Sequence, residues 1–137
     1  MKRFTLEVFT EGNCDVQNLN PQVNKALRAA GGGDGVLHLF VVGSTASLTT
    51  LEFEPGLVKH DLAALMQKLV PDDALYQHEQ TWNDDNGHSH LRSALLGPGI
   101  TIPFADGKLM TGEYQQVVLV DFDTRPRKRL VIGTLLT

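Results

Sequence analysis

The sequence contains one cysteine, one tryptophan and two tyrosines among its 137 residues. The single cysteine, Cys14, has no partner for an internal disulfide, and no Cys-x-x-Cys pair is present to hold structural zinc. The chain must therefore fold on its hydrophobic core alone. This cysteine usage suits a reducing compartment, so we expect a cytoplasmic protein.

Long hydrophobic runs and an excess of positive charge are also missing. No apolar segment approaches the roughly 20 residues needed to cross a bilayer. The first residues, MKRFTLEVF, alternate as a strand does and lack the apolar segment of a signal peptide. A net charge of −4 disfavours broad binding to nucleic acid or to membrane surfaces. We expect neither partner, although RPRKR at 125–129 is a local basic exception.

The common short catalytic motifs are absent. There is no Walker-type phosphate loop, no Gly-x-Ser-x-Gly nucleophile elbow and no His-Glu-x-x-His. The glycine-rich GGGDG at 31–35 follows a predicted helix and precedes a predicted strand. That order is the reverse of a phosphate-binding loop, so we interpret this segment as a flexible connection.

Hydrophobic residues make up 42% of the chain, which is enough for one core at this length. The patterns predict a single α+β domain over 1–137, with a mostly antiparallel sheet and a few helices. Strands are predicted at 4–8, 14–19, 36–42, 45–53, 100–104, 113–122 and 129–136. Helices are predicted at 21–30 and 54–70, with a short third one carrying Leu91 and Leu95. The apolar strand VLHLFVV predicts burial on both faces, with His38 in the core.

The segment YQHEQTWNDDNGHSHLRSALLG at 76–97 holds three of the five histidines and two adjacent aspartates. Neutral imidazole suits zinc and similar ions, and a neighbouring carboxylate can join or orient it. The alternative is a polar surface loop whose histidines face water. For His88 the solvated position is the favoured interpretation.

Two other polar segments allow a functional and a structural interpretation. Thr45, Ser47 and Thr49 alternate onto one strand face, where hydroxyls could bind a phosphate or a sugar, although threonine is common in strands anyway. RPRKR could clamp an anion with arginine forks or form an ordinary solvated turn.

Several segments occur together in an order that resembles the YjbQ-like family, often labelled secondary thiamine-phosphate synthase. They are STASLTTLE at 44–52, Tyr-x-His at 76–78, the DD…SHLRSALLG segment at 84–97, TIP at 101–103, DGKLMTGEYQ at 106–115 and the terminal KRLVIGTLL. The chain departs from the family pattern at Gly43, where the family has histidine, and at Glu113 and Tyr114, which replace threonine and tryptophan.

The resemblance implies roles for individual residues of this chain. A metal site would use His78, Asp85 and His90, with zinc or magnesium as the possible divalent metal. Catalysis would fall to Glu52 and His90. The residues implied in substrate binding are Ser47, Gln115, Lys128 and Arg129.

The resemblance also implies an activity and an assembly. We expect a thiamine-phosphate synthase-like enzyme, possible metal assistance, and a small phosphorylated metabolite as its substrate. A homotrimer with the polar residues near the subunit boundary is expected as well. The alternative is a non-catalytic trimeric protein that binds a metal or an anion and has lost part of the family site. Gly43 and Glu113 are the residues that favour this alternative.

Overall fold

The computed structural model describes residues 1–137 as an α+β domain built on two antiparallel sheets. The five-stranded sheet has the order β1-β8-β3-β5-β6, and the three-stranded sheet has the order β2-β7-β4. The strands are β1 (Lys2–Thr10), β2 (Asp15–Asn18), β3 (Gly35–Val42), β4 (Ala46–Glu52), β5 (Gly99–Ala105), β6 (Lys108–Leu109), β7 (Gln115–Asp121) and β8 (Arg127–Leu136).

Four α-helices complete the fold. They are α1 (Asn20–Ala29), α2 (Leu62–Leu69), α3 (Gln77–Trp82) and α4 (Gly87–Leu96), and a π-helical turn at Leu57–Asp61 leads into α2. None of these helices is long and apolar enough to cross a membrane.

The core has two parts because the three-stranded sheet is covered on both faces. Alternate residues of β7 point in opposite directions, as they must in a strand. Val117 and Leu119 join the larger cluster, which contains residues of both sheets and of α1. Val118 and Val120 join a smaller cluster with Met66 of α2.

The predicted strands and the α1 helix are confirmed within a few residues, but burial of β3 on both faces is wrong. Leu37, Leu39 and Val41 are buried, whereas Phe40 and Val42 are exposed, because nothing in this chain covers the outer face of the five-stranded sheet. His38 is therefore half-buried on that face, and not in the core. Its Nδ1 lies 2.9 Å from the hydroxyl of Thr101 on the neighbouring strand β5.

The apolar residues of α2, and of the short helix that carries Leu91 and Leu95, are only partly buried. On α2 only Met66 is buried, while Leu65 and Leu69 are exposed. On α4 the exposed residues are apolar: Leu91 is 50% and Leu95 57% exposed. The side chains of α4 that face the protein are mostly polar, namely His88, Ser89, Arg92 and Ser93.

A buried ion pair connects the two sheets. The Arg129 guanidinium on β8 donates from Nε and Nη2 to the two carboxylate oxygens of Asp121 on β7, at 2.7 and 2.8 Å. Nη2 also donates to the hydroxyl of Thr45 at 2.6 Å, just before β4. From β1, the Thr10 hydroxyl donates to Asp121 at 2.6 Å. Three strands from both sheets, and the residue that directly precedes a fourth, thus meet at one ion pair.

The carboxylate of Asp123 extends this network. Burial by itself would raise its pKa. Hydrogen bonds from the Thr124 N–H, the Asn86 amide and Arg127, with the charge of Arg127, outweigh that effect and lower the pKa of Asp123 to about 2. Asn86 stands directly before α4, so Asp123 ties that helix to the end of β7.

This pKa predicts a defined loss of stability in acid. The ordinary pKa is 3.8 and the folded-state pKa is lower, so ionised Asp123 stabilises the fold above pH 3.8. The contribution, about 2 kcal/mol, is lost as the pH falls toward 2. Urea unfolding from pH 5 to pH 2 should show this loss in the parent protein and lack it in Asp123→Asn. The exposed control Asp73→Asn should retain it. An equal loss in parent and Asp123→Asn would contradict the prediction.

Candidate histidine site

Two histidines from different helices meet at the surface. His78 lies on α3 and His90 on α4, and their ring centroids are 4.5 Å apart with the planes tilted by 45°. The chain can turn this tightly because Asn83 ends α3 in the left-handed conformation, with φ +52°, which asparagine tolerates better than most residues. The sequence showed the histidines but not α3, which it treated as part of a loop.

Two carboxylates stand beside the imidazole of His78. Its Nδ1 lies 3.0 Å from Asp84 Oδ1 and 3.5 Å from Glu79 Oε1. One ligand atom from each of these three residues falls within a 4.8 Å cluster. The Nδ1 atom is nevertheless buried without an aligned hydrogen bond. A buried polar atom without a partner is unusual and marks a place where a ligand could complete the site.

The carboxylate next to His78 is Asp84 and not Asp85. Asp85 points the other way and accepts a hydrogen bond from the Thr124 hydroxyl at 2.9 Å. The resemblance favoured Asp85 by its spacing from His90, but consecutive side chains after the turn at Asn83 diverge. Asp85 therefore holds the loop against the β7–β8 connection, as Asn86 does.

Glu79 is a site residue that sequence reasoning missed. Its carboxylate accepts a hydrogen bond from the Gly87 N–H at the start of α4, besides facing His78. A Cβ on Gly87 would lie 2.7 Å from Cβ of Tyr76, so only glycine fits there. The available signal was the adjacency of Glu79 to His78 in the sequence.

His88 is buried, so its interpretation as a solvated loop residue is wrong. It is the second residue of α4, with 5% of its surface exposed. Burial, reinforced by the positive charge of Arg92, lowers the pKa of His88. Arg92 itself donates to the Val70 carbonyl and to the Gln67 side chain, both at 2.9 Å, and so fastens α4 to the end of α2. His88 thus lies on the buried face of α4.

Ser47 lies under the histidine-bearing helix and is fully buried. Its hydroxyl is 3.0 Å from the Ser93 carbonyl, and the Ser93 hydroxyl donates in turn to the Ala46 carbonyl at 2.7 Å. These reciprocal bonds fasten α4 to the first residues of β4. In this chain the Ser47 hydroxyl is used within the protein.

Glu52 and Gln115 occupy the other end of the same sheet. They pair across β4 and β7, five residues beyond Ser47, which corresponds to about 16 Å along a strand. Gln115 donates to the Thr50 hydroxyl at 2.9 Å and accepts from the Gly112 N–H at 3.0 Å. Glu52 is exposed and makes no hydrogen bond or ion pair with either histidine.

Lys128 and Arg129 point to opposite faces of β8, so the two basic residues have different surroundings. Lys128 is exposed and lies 3.5 Å from the Glu7 carboxylate on β1. Arg129 is buried, and its guanidinium is bonded to Asp121.

Gly43, where the family has histidine, lies next to the Nη1 atom of Arg129. A Cβ at Gly43 would come within 2.9 Å of Nη1, and the φ of +142° is strained for any side chain. A histidine at 43 therefore requires Arg129 to move.

Of the residues implied by the resemblance, the structure brings together His78 and His90. It adds Asp84 and Glu79 to them, and it leaves Asp85 on the opposite side of the loop. One imidazole nitrogen and two carboxylate oxygens within 4.8 Å can hold a divalent cation, and the neighbouring ring of His90 can transfer protons.

Known proteins share both the sequence and this fold. The UPF0047 protein YjbQ-like family model matches residues 4–137. A UPF0047 protein of Archaeoglobus fulgidus is 28% identical over 130 residues, covering 95% of this chain and 98% of the relative. The UPF0047 protein YjbQ of Escherichia coli O157:H7 is 34% identical over 101 residues, covering 74% and 72%. The crystal structure of a hypothetical protein from Aeropyrum pernix K1 superposes with a TM-score of 0.90 at 29% identity, covering 99% and 98%. The chain therefore belongs to the UPF0047 YjbQ-like family.

Proposed function

We propose that this protein is an enzyme that acts on a small phosphorylated metabolite, of the secondary thiamine-phosphate synthase type, with a divalent metal at the histidine site. The observation that carries the proposal is the buried Nδ1 of His78, which makes no aligned hydrogen bond, with carboxylate oxygens of Asp84 and Glu79 beside it. His90 stands 4.5 Å away, ring to ring, on a second helix.

The residues present fit a divalent cation. One imidazole nitrogen and two carboxylate oxygens within 4.8 Å form a mixed donor set of the kind that zinc accepts, and the three side chains leave further positions open. His78 and Glu79 are half-buried and Asp84 is exposed, so the cluster lies at the border between the protein and solvent. When bound, the metal would supply positive charge to a phosphoryl group that develops negative charge.

The chemistry proposed is the displacement of diphosphate from an activated pyrimidine. The bond from the pyrimidine CH₂ carbon to the diphosphate oxygen breaks, and the thiazole nitrogen forms the new bond to that carbon. The departing anion needs positive charge and hydrogen-bond donors. His90 is half-buried at the site and can donate a proton from a ring nitrogen to that anion. Asp84, whose Oδ1 lies 3.0 Å from His78 Nδ1, would hold the metal together with His78.

Metal binding distinguishes the two adjacent aspartates. Asp84→Asn should lower the affinity for zinc by about 10-fold to 100-fold because it removes a carboxylate next to His78. Asp85→Asn is the matched control and should leave zinc affinity unchanged, since its partner is Thr124. Competition with a chromogenic chelator measures both values. A larger loss in Asp85→Asn would contradict this arrangement.

Catalysis can be tested with the two proposed substrates, the pyrimidine diphosphate and the thiazole phosphate. Zinc-loaded or magnesium-loaded protein should form thiamine phosphate, and His90→Gln should lower kcat by about 100-fold or more, since a proton donor is lost. His60→Gln, on the exposed π-helical turn, is the control and should retain the parent rate. Stoichiometric metal without any product would reject the enzyme and leave its alternative.

That alternative is a non-catalytic protein that binds a metal or a small anion, and one observation favours it. Nε and Nη2 of Arg129 are already bonded to Asp121 and Thr45, which leaves only Nη1 for a substrate. A guanidinium committed in this way contributes less to holding a phosphate than a free one. Metal retention together with absent turnover is the result that this alternative predicts.

The assembly is part of the proposal: a homotrimer in which α4 lies at the subunit boundary. The support is the unusual orientation of α4, whose polar residues face the protein while Leu91 and Leu95 face outward. Leu65 and Leu69 of α2 are exposed as well, and Arg92 fastens these two helices together. Apolar surface of this kind marks an interaction site. Because Leu91 follows His90, such an interface would border the histidine site.

Light scattering after gel filtration tests the assembly. The parent should have about three times the mass of the 15.0 kDa chain, and Leu91→Glu should dissociate it to the monomer because a charge cannot be buried unpaired. Leu130→Glu is the matched control, on the exposed outer face of the five-stranded sheet. A parent monomer contradicts the trimer. Dissociation only by Leu130→Glu would put the interface on the sheet.

A further inference from the structure

A second polar site lies away from the histidines. A cleft of about 720 Å³ separates α1 and the glycine segment 31–33 from the β5–β6 hairpin. None of its walls comes from α3 or α4, and Leu109 is its only hydrophobic lining residue. The proposed function makes no use of this cleft.

One wall of the cleft is a polar face of α1. Asn20, Asn24 and Arg28 follow one another at four-residue spacing, which puts them on the same side of the helix. The Asn20 Oδ1 atom accepts the Val117 N–H at 2.7 Å, which fixes this side chain and leaves its NH₂ group free. Asn24 makes no side-chain hydrogen bond within the protein. The wall therefore offers amide donors and acceptors without partners.

The glycine segment forms the floor of the cleft and contacts the β5–β6 hairpin, besides connecting α1 to β3. All three glycines have positive φ, at +100°, +65° and +85°. The Gly107 N–H of the hairpin donates to the Gly33 carbonyl at 2.8 Å, and a Cβ on Gly32 would lie 3.3 Å from Gly107 Cα. The amide N–H of Gly33 itself has no protein partner. Only glycine allows the two turns to approach so closely.

The charge in the cleft favours an anion. Arg28 and Lys108 both line it, and neither forms an ion pair with any carboxylate of the chain. Asp106 is the only acidic lining residue, so two positive charges face one negative charge in a chain whose net charge is −4. Free cationic side chains and a free backbone N–H are the groups that bind phosphate oxygens.

We propose that this cleft binds a phosphorylated polyhydroxy compound, a sugar phosphate by chemical class. Arg28, Lys108 and the Gly33 N–H take the phosphate, while the amides of Asn20 and Asn24 with the Asp106 carboxylate take the hydroxyl groups. The lining contains no aromatic side chain, so it has no platform on which a nucleobase could stack.

Titration followed by ¹H–¹⁵N NMR tests the site with ribose 5-phosphate, inorganic phosphate and ribose as probes. Ribose 5-phosphate should shift the amide signals of Gly31–Gly33 and Gly107 and bind more tightly than either of the other probes.

Arg28→Gln and Lys108→Gln should each weaken binding by about 10-fold, since each removes a charge-assisted contact. Both side chains are exposed, so these variants keep the fold. Arg125→Gln, exposed and outside the cleft, is the charge-matched control and should bind as the parent does.

Three results would overturn the proposal. They are the absence of shifts at the four glycines, equal affinity for phosphate and ribose 5-phosphate, and an equal loss of affinity in Arg125→Gln. A His78→Ala/His90→Ala variant separates the two sites: it should lose metal but retain the glycine shifts. If the parent binds no metal and the glycine shifts remain, the proposed function fails and the cleft stands.

Discussion

The buried ion pair between Arg129 and Asp121 is the interaction on which the arrangement of this protein depends. Removing both charges from water costs several kcal/mol, and the cost is met only where geometry and further hydrogen bonds are good. Here the guanidinium binds the carboxylate with two hydrogen bonds, and Thr45 and Thr10 complete the remaining contacts. These partners come from both sheets, so the relative position of the sheets is set where the ion pair is satisfied.

The same network positions the histidine site at a distance. Asp123 continues the strand that carries Asp121, and its carboxylate receives the side chain of Asn86, the residue directly before α4. Asp85 is held by the Thr124 hydroxyl one residue further on. Asp84 lies between the turn at Asn83 and these two hydrogen-bonded residues, and its carboxylate contacts His78. The β7–β8 connection thus holds the loop through Asp85 and Asn86, and Asp84 is left to contact His78.

Polar side chains have an uncommon arrangement in two places, on the buried face of α4 and in the cleft beside α1. The α4 helix buries Arg92 and Ser93, because each fastens the helix to a neighbouring element, and consequently its leucines face outward. The cleft beside α1 keeps Arg28 and Lys108 without carboxylate partners on a floor of closely packed glycines. In α4, apolar packing has given way to specific polar contacts, whereas in the cleft two cationic side chains are left without a carboxylate; both arrangements are common where a surface binds something.

Sequence alone determined the α+β class, seven of the eight strands, α1 and the family, since strand alternation and ordered motifs are local properties that survive in any context. It also identified His78 and His90 as candidates. Only the tertiary structure decided which carboxylate joins them, because Asp84 and Asp85 are equivalent in composition and differ in direction after one left-handed residue. Likewise, the outward side of β3 and the buried position of His88 depend on which elements cover them, and coverage is a long-range property that no local pattern encodes.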